Sequence, residues 1–372
     1  MERRALVLGT LAGQVDAMEA LRGLGWSVHA CGHVAHGPGM FAADSFHLVD
    51  VVDVDAVADL AAELGVGLVY SVGSDIAMPT VAAVSERLGL PRFHDARTTE
   101  VLHRKDLLRA FLADAGLSPV VHRVVRTRDD VAGFGTWPAI VKPTDSQGQR
   151  GITVATGEDE AVAALQHALA ASRSGTAVVE ELLAGPEVSV HVVVVEGQVR
   201  FFLPSDRHVW DGPLVGIPAA HTVPSAALDK RAEQEVRDLV DRFVAALGVR
   251  NGPLYFQLKL TPAGPRIIEV APRLDGCHLW RLVHVHTGFD LLTALLRLLT
   301  GEGWADPAPW DDAPSHTLRF HLTPPGVPFR ATDHAPPAET ACYVEHQVDE
   351  GALPRNTNGV VCRVGYEIVE DR

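Results

Sequence analysis

Short apolar runs alternate with amphipathic stretches over residues 1–95, and this alternation constrains the fold more than any other feature of the chain. ALVLG at 5–9, SVHAC at 27–31, HLVDVVD at 47–53 and GLVYSVGSD at 67–75 read as strands. Helical periodicity fills the gaps, at Gln14–Leu24, Val54–Leu64 and Ile76–Leu88. Short buried strands pair in parallel only across such crossovers, so the order predicts an open parallel sheet. Ligands of such a sheet lie beyond the carboxyl ends of its strands, which places Gly9–Gln14 and Ser71–Asp75 on one rim. The rim segment GTLAGQ lacks GxGxxG spacing and does not indicate a dinucleotide. It is read instead as shaping a substrate pocket, with Asp75 as a candidate contact.

With 372 residues, 47% of them hydrophobic, the chain can bury enough surface for two or three lobes. A net charge of −15 argues against a nucleic-acid surface, which needs a concentrated basic face. Cys31, Cys277, Cys342 and Cys362 form no CxxC pair, so they read as reduced thiols. No apolar stretch approaches the ~18 residues of a membrane span. A cytoplasmic protein without a membrane partner is expected. The 18 histidines contain no HExxH constellation and read as surface or hydrogen-bonded residues, not metal ligands.

Farther along, a helix is expected from Thr98 to Leu117, closed by Ala115-Gly116-Leu117-Ser118-Pro119. Strand signals follow in AIVKP, GITVAT, AVVEELL and EVSVHVVVVEGQVRFFL, and helical ones at Asp159–Ala171, Ala226–Leu247 and Asp290–Leu299. Pro204–Pro224 reads as a mobile loop, Pro307–Pro314 as a linker, and the tail from Thr317 as short β stretches.

Of the 32 basic residues only Lys105, Lys142, Lys230 and Lys259 are lysines. A lysine ammonium is a compact point charge suited to phosphate, where arginine is a flat fork. Lys142 ends the strand AIV and is followed by Pro143 and the polar loop 144–151, which reads either as a backbone cradle for phosphate or as a plain hairpin loop. AVVEELLAGPE exposes a strand end at Glu180, Glu181, Leu182 and Leu183 and returns at Glu187; it suits an adenine edge and ribose hydroxyls, or simply a solvated acidic end. In LYFQLKLTPAGPRIIEVAPR, pairing about Ala263 sets Gln257 opposite Glu269. Opposed Cβ atoms lie roughly 4.5–5.5 Å apart, close enough for two oxygen donors to share a Mg²⁺ ion, although an exposed Gln–Glu pair fits the same pattern. Tyr255, Gln257 and Lys259 are expected to project away from the packed face. Arg273 adds a fork for phosphate or carboxylate.

In this order the residues resemble the ATP-grasp superfamily, in the branch that holds carboxylate–amine ligases and biotin carboxylase, and the resemblance spans essentially the whole chain. It implies a mixed α/β and α+β fold: a parallel-sheet domain at 1–95, a two-lobed grasp at 96–305 with a lid at about 120–185, and a β-rich lobe at 306–372. By resemblance Lys105 and Lys142 hold ATP phosphates, and Ser146, Gln147, Gly148, Arg150 and Gly151 form the lid loop. Glu180, Glu181 and Leu183 meet adenine, Glu187 meets ribose, and Gln257 and Glu269 bind Mg²⁺ or Mn²⁺. Arg273 steadies the transferred phosphoryl group, with Lys142 and Arg281 as further catalytic candidates. Asp275, Gly276 and His278 line the acid site: Asp275 for an ammonium, His278 and Arg281 for a carboxylate. SDRHVWD at 205–211, with Arg207, is a candidate loop over the acceptor pocket, and Cys277 is pocket wall. Two departures stand out: the first metal position is Gln257, not an acid, and Ala271 replaces a frequent asparagine.

The activity implied is ATP-dependent joining of a small carboxylic acid, expected to be an amino acid, to an amine through an acyl phosphate, with release of ADP. A bicarbonate-activating carboxylase and a nucleotide-binding protein with impaired catalysis are the alternatives. The resemblance also admits a homodimer through the first lobe.

Overall fold

The computed structural model describes residues 3–212, 216–310, 312–334, 340–355 and 359–371. The first lobe comprises β1 (Arg4–Leu8), α1 (Ala12–Gly23), β2 (Ser27–Gly32), α2 (Gly39–Ala42), β3 (Ser45–Leu48), α3 (Val54–Leu64), β4 (Leu68–Tyr70) and α4 (Met78–Leu88). Its strands pair in parallel in the order β3-β2-β1-β4. Along β1, Leu6 and Leu8 pack toward α3 and α4, while Ala5 and Val7 face α1. Coverage on both faces is why these strands read as continuous apolar runs. Asp53 caps α3 by accepting from the Ala56 N–H, and Gly65 closes it in the left-handed conformation. HLVDVVD yields only the short β3, because Asp50 and Asp53 turn the chain into α3.

Next come α5 (Ala96–His103), α6 (Lys105–Asp114), β5 (His122–Val125), α7 (Arg128–Val131), β6 (Ala139–Pro143), β7 (Thr153–Ala155), α8 (Glu158–Ala171) and β8 (Ala177–Glu181). The strands form an antiparallel sheet, β5-β8-β6-β7, backed by α8 through Ala161, Ala164, Leu165 and Ala168. The helix expected over 98–117 is two. Arg104 leaves the helical region (φ −104°, ψ 118°), and the Lys105 N–H bonds the Thr144 carbonyl instead of continuing α5. Lys105 therefore opens a helix at the lid loop.

The rest builds one large sheet from β9 (Glu187–Val195), β10 (Gln198–Val209), β11 (Pro218–Val223), β12 (Gly252–Thr261), β13 (Gly264–Ala271), β14 (His316–Thr323), β15 (Ala341–His346) and β16 (Cys362–Glu370). Its eight strands run β13-β12-β9-β10-β11-β14-β16-β15, and every pairing is antiparallel. Helices α9 (Lys230–Leu247), α10 (Leu279–Thr287) and α11 (Leu291–Leu299) pack on it. One expectation fails here. Pro204–Pro224 is not a loop: β10 continues to Val209 and β11 starts at Pro218, since ladder bonds on both sides stabilise a stretch that lacks local periodicity. Residues 213–215 of that segment lie outside the described residues. The tail is β-rich as expected, and it joins the central sheet through β14, which pairs with β11.

Alternation on β9 sorts the two faces. Val188, Val190, Val192 and Val194 pack against α6 and α9, whereas Glu187, Ser189 and His191 point the other way. The cluster that covers this second face also joins α1 to α10 and α11, so the first lobe is fastened beside a polar sheet surface. Among the described residues no single helix is long and apolar enough to cross a membrane.

Candidate active site

Gln257 does lie opposite Glu269, but for a reason absent from the sequence. Near the turn, Thr261 pairs with Gly264 and Leu258 with Ile267, a register that would set Gln257 against Ile268. A bulge between Gln257 and Leu258 shifts the ladder by one residue and brings Glu269 into place. Arg109 of α6 holds the bulged segment, donating to the carbonyls of Ile267 (2.8 Å) and Ile268 (3.4 Å). The Ile267 N–H in turn donates to the Ser118 hydroxyl oxygen at 2.6 Å.

The same Arg109 grips Glu180 with two bonds, at 2.8 and 3.0 Å, and Lys142 reaches Glu180 at 2.6 Å. All three side chains are buried. Burial by itself pushes the Glu180 carboxyl up, but the charges of Arg109 and Lys142 outweigh it and hold the group well below the usual range. Burial also lowers the Lys142 ammonium, against the pull of Glu180. Glu180 thus serves as the anchor of a buried triad, not as an exposed adenine contact. Beyond it Glu181 fixes Val121 by accepting its N–H at 2.9 Å, and Leu182 and Leu183 run past the end of β8.

The lid loop is tied at both ends. Lys105 Nζ donates to the Ser146 carbonyl at 3.0 Å, the Ser146 hydroxyl donates to Ala171, and Arg150 donates to the Gln147 carbonyl. Gly148 and Gly151 take positive φ, and a Cβ on Gly151 would lie 2.6 Å from that of Ala171. His103, at the end of α5, meets Gln147 at 3.2 Å and feels the charges of Asp75, Lys105, Glu269 and Asp145. The first lobe, α6, the lid loop and the hairpin therefore converge on one place.

Arg273 forms a fork with Asp75 across the lobe boundary and gives Nη1 to the Leu274 carbonyl. Its Nη1 also lies 3.6 Å from Asp275, whose other oxygen accepts the Cys277 N–H at 2.8 Å. The backbones of Gly73 and Gly276 are packed so closely that a Cβ on Gly276 would lie 2.6 Å from the Gly73 oxygen. That contact explains why position 276 is glycine. Burial drives the Cys277 thiol up to about 12, consistent with a wall residue.

Several candidates are committed to neighbours. Glu187 accepts from Arg207 at 2.5 Å and lies 3.2 Å from Lys259. Arg207 is buried in β10, not on a loop. Arg281 pairs with Asp16 at 2.5 Å and stacks on Tyr343, joining α1 to the C-terminal strands. His278, buried at φ 58°, meets Gln347 at 3.0 Å. Tyr255 does not project into solvent; it is buried and hydrogen-bonded to Ser189 at 2.7 Å.

Sequence reasoning missed Arg109, His103, Ser189, His191 and His221. The alternation of EVSVH offered a signal for Ser189 and His191, while the loop assignment concealed His221. His94 and His278 are buried and hydrogen-bonded, whereas His191 is buried with neither ring nitrogen paired. Burial lowers His191 to about 4 and His221 to about 3.

Two opposed oxygen donors fit a divalent ion that takes its other ligands from phosphate and water. Among the described residues no group of three or more His, Cys, Asp or Glu is placed to hold an ion by itself. A parallel-sheet lobe, a polar loop tied to Lys105 and this polar sheet face thus border one another. The phosphoribosylglycinamide synthetase ATP-grasp (A) domain matches residues 105–276. Phosphoribosylamine–glycine ligase of Streptomyces coelicolor is 30% identical over 305 residues, 77% of this chain and 71% of that protein. The Caulobacter vibrioides enzyme of the same name is 26% identical over 338 residues, covering 83% and 76%. In structure, an L-amino acid ligase from Bacillus licheniformis superposes with a TM-score of 0.79 at 18% identity, covering 99% of this chain and 93% of that one. The chain belongs to the ATP-grasp superfamily, and its activity is that of an ATP-dependent carbon–nitrogen ligase.

Proposed function

We propose that this enzyme activates a small carboxylic acid, an amino acid, as an acyl phosphate and passes the acyl group to an amine, releasing ADP and phosphate. The contacts of Lys105 with Ser146, of His103 with Gln147 and of Arg273 with Asp75 support this reading, because they join the polar loop, α5, α6 and the first lobe. Lys105 and Lys142 bind nucleotide phosphates, Lys142 with its charge maintained by Glu180. Leu182 and Leu183, past the end of β8, offer the backbone edge for adenine. Gln257 and Glu269 would hold Mg²⁺, which when bound neutralises developing charge on the phosphates. Gln257 carries no charge, so the pair presents one formal negative charge, suited to a single ion.

Arg273 is positioned by Asp75 and Leu274 to receive the substrate carboxylate and the oxygens of the acyl phosphate. Closure of the loop through Gln149, whose side chain already reaches the Gly216 carbonyl at 3.4 Å, excludes water from that intermediate. Incubation with MgATP, hydroxylamine and pooled carboxylic acids tests the reading. Acid-dependent ADP and hydroxamate are expected. ADP release that requires bicarbonate and no other acid would replace the ligase with a carboxylase.

A further inference from the structure

Thr144, Asp145 and Ser146 carry the lid loop onto its support, and they are held from two sides. From α6, Lys105 takes the Thr144 carbonyl with its N–H at 2.9 Å and the Ser146 carbonyl with Nζ at 3.0 Å. Asp145, between them, reaches the turn that follows α8. Its Oδ1 accepts the Ser172 hydroxyl at 2.9 Å and the Arg173 N–H at 3.1 Å, and its Oδ2 accepts the Ser174 N–H at 2.7 Å. Thr144 joins the same turn: its N–H donates to the Thr176 carbonyl at 3.1 Å, and its hydroxyl lies 3.1 Å from that of Ser174. The far foot of the loop, Gly151, packs on Ala171, the last residue of α8, whose carbonyl also takes the Ser146 hydroxyl at 3.0 Å.

Both feet of the loop therefore stand on one short segment, 171–176, and only 147–150 span the distance between them. Gly148 and Arg150 in that span are exposed. A carboxylate that accepts two backbone N–H groups and a hydroxyl is a strong, directional anchor, because every bond ends on a charged acceptor. Burial pushes the Asp145 carboxyl up, but its bonds with Ser172 and Ser174 prevail and hold it below the usual carboxylate range. All three bonds go to the protein's own turn, so any part Asp145 has in the reaction runs through the loop.

We infer that Asp145 is a positioning residue: it fixes the lid loop to the end of α8 and, through the Ser146 carbonyl, steadies Lys105, so that water stays out while the acyl phosphate awaits the amine. The inference rests on the ligase reading above for the intermediate that the loop protects. Without the anchor the loop swings away from its support, and water reaches the acyl phosphate. Hydrolysis of that intermediate returns the free acid and phosphate. The net reaction is then ATP and water to ADP and phosphate, with no amide formed.

Asp145→Ala tests the assignment, with Glu160→Ala as its counterpart at the other end of α8, where Glu160 accepts the Thr156 N–H at 2.7 Å and the Thr156 hydroxyl at 2.8 Å. In the MgATP–hydroxylamine assay with pooled carboxylic acids and saturating ATP, Asp145→Ala should form about fivefold more ADP per hydroxamate than wild type, and Glu160→Ala should stay within about twofold. Asp145→Asn retains an acceptor and should fall between wild type and Asp145→Ala. An unchanged ratio in Asp145→Ala, or an equal rise in Glu160→Ala, would overturn the role. If Asp145→Ala does not fold, a wild-type ratio in Asp145→Asn would overturn it instead. Tryptic cleavage after Arg150, followed by mass spectrometry, reads the loop without any chemistry: about tenfold faster cleavage is expected in Asp145→Ala and no change in Glu160→Ala. Equal rates in wild type and Asp145→Ala would reject the anchor. If wild-type enzyme gives no acid-dependent ADP, the ligase reading fails, and the tryptic rates alone decide whether Asp145 holds the loop.

Discussion

Replacing Arg109 with methionine should damage stability and metal use together, because one side chain supports both. Arg109 gives two bonds to Glu180 and two to the carbonyls of the β13 bulge. Methionine fills the aliphatic path but donates nothing. Removing one partner of a buried ion pair costs ~3–5 kcal/mol. Here Glu180 retains Lys142 at 2.6 Å, so the lower end of that range, about 3 kcal/mol, is expected. For a chain of 372 residues, at roughly 1–2 °C per kcal/mol, the melting temperature should fall by roughly 3–6 °C. The bulge loses its external donors, so the register that sets Gln257 against Glu269 loosens toward the alternative pairing with Ile268. Half-saturating Mg²⁺ for ADP formation should therefore rise several-fold. Urea unfolding and a Mg²⁺ titration at saturating ATP measure the two effects. A melting temperature within about 2 °C of wild type, with an unchanged Mg²⁺ requirement, would refute the reasoning.

Three further outcomes follow from single features. Gly185 has φ 133°, and a Cβ there would overlap the Leu260 carbonyl oxygen, so Gly185→Ala should cost more than about 1 kcal/mol in urea unfolding, and a neutral effect would contradict the packing. His94 and His191 are held at about 4 and His221 at about 3 by burial, against 6.5 when free, so the unfolded chain takes up their protons first. Stability should thus fall as pH drops from 6.5 toward 4, with a limiting slope of ~1.4 kcal/mol per pH unit for each histidine, and a flat profile between pH 7 and 5 would contradict their burial as neutral rings. Arg273→Lys retains the charge but loses the fork to Asp75, so turnover should drop about 100-fold with ATP KM little changed; equal losses in ATP affinity would place Arg273 on the nucleotide instead.

Much of this molecule was legible in the one-dimensional chain because its signals are local. The alternation of apolar runs and capped helices in the first lobe reports structure within a dozen residues, and α3 occupies Val54–Leu64 as its period predicts. The hairpin turn also announces itself. What escaped were positions whose meaning depends on a distant partner. Arg109 reads as one more arginine on an amphipathic helix until β8 and β13 are folded onto it. Likewise Glu180, Glu187 and Arg281 appear in the sequence as free charges, and folding spends each of them on an ion pair.

By itself the sequence determined the parallel first lobe, the residue types able to handle phosphate and metal, and the order in which they occur, since these follow from short-range periodicity and intrinsic side-chain chemistry. Only the tertiary structure decided that 204–209 and 218–223 are strands, that the tail extends the central sheet, and that a bulge aligns Gln257 with Glu269. Ladder bonds and burial arise between segments far apart in the chain, and no local pattern encodes them. His191 and His221 belong to this second kind: ordinary histidines in the sequence, they become buried only when β9, β11 and β12 lie in one sheet.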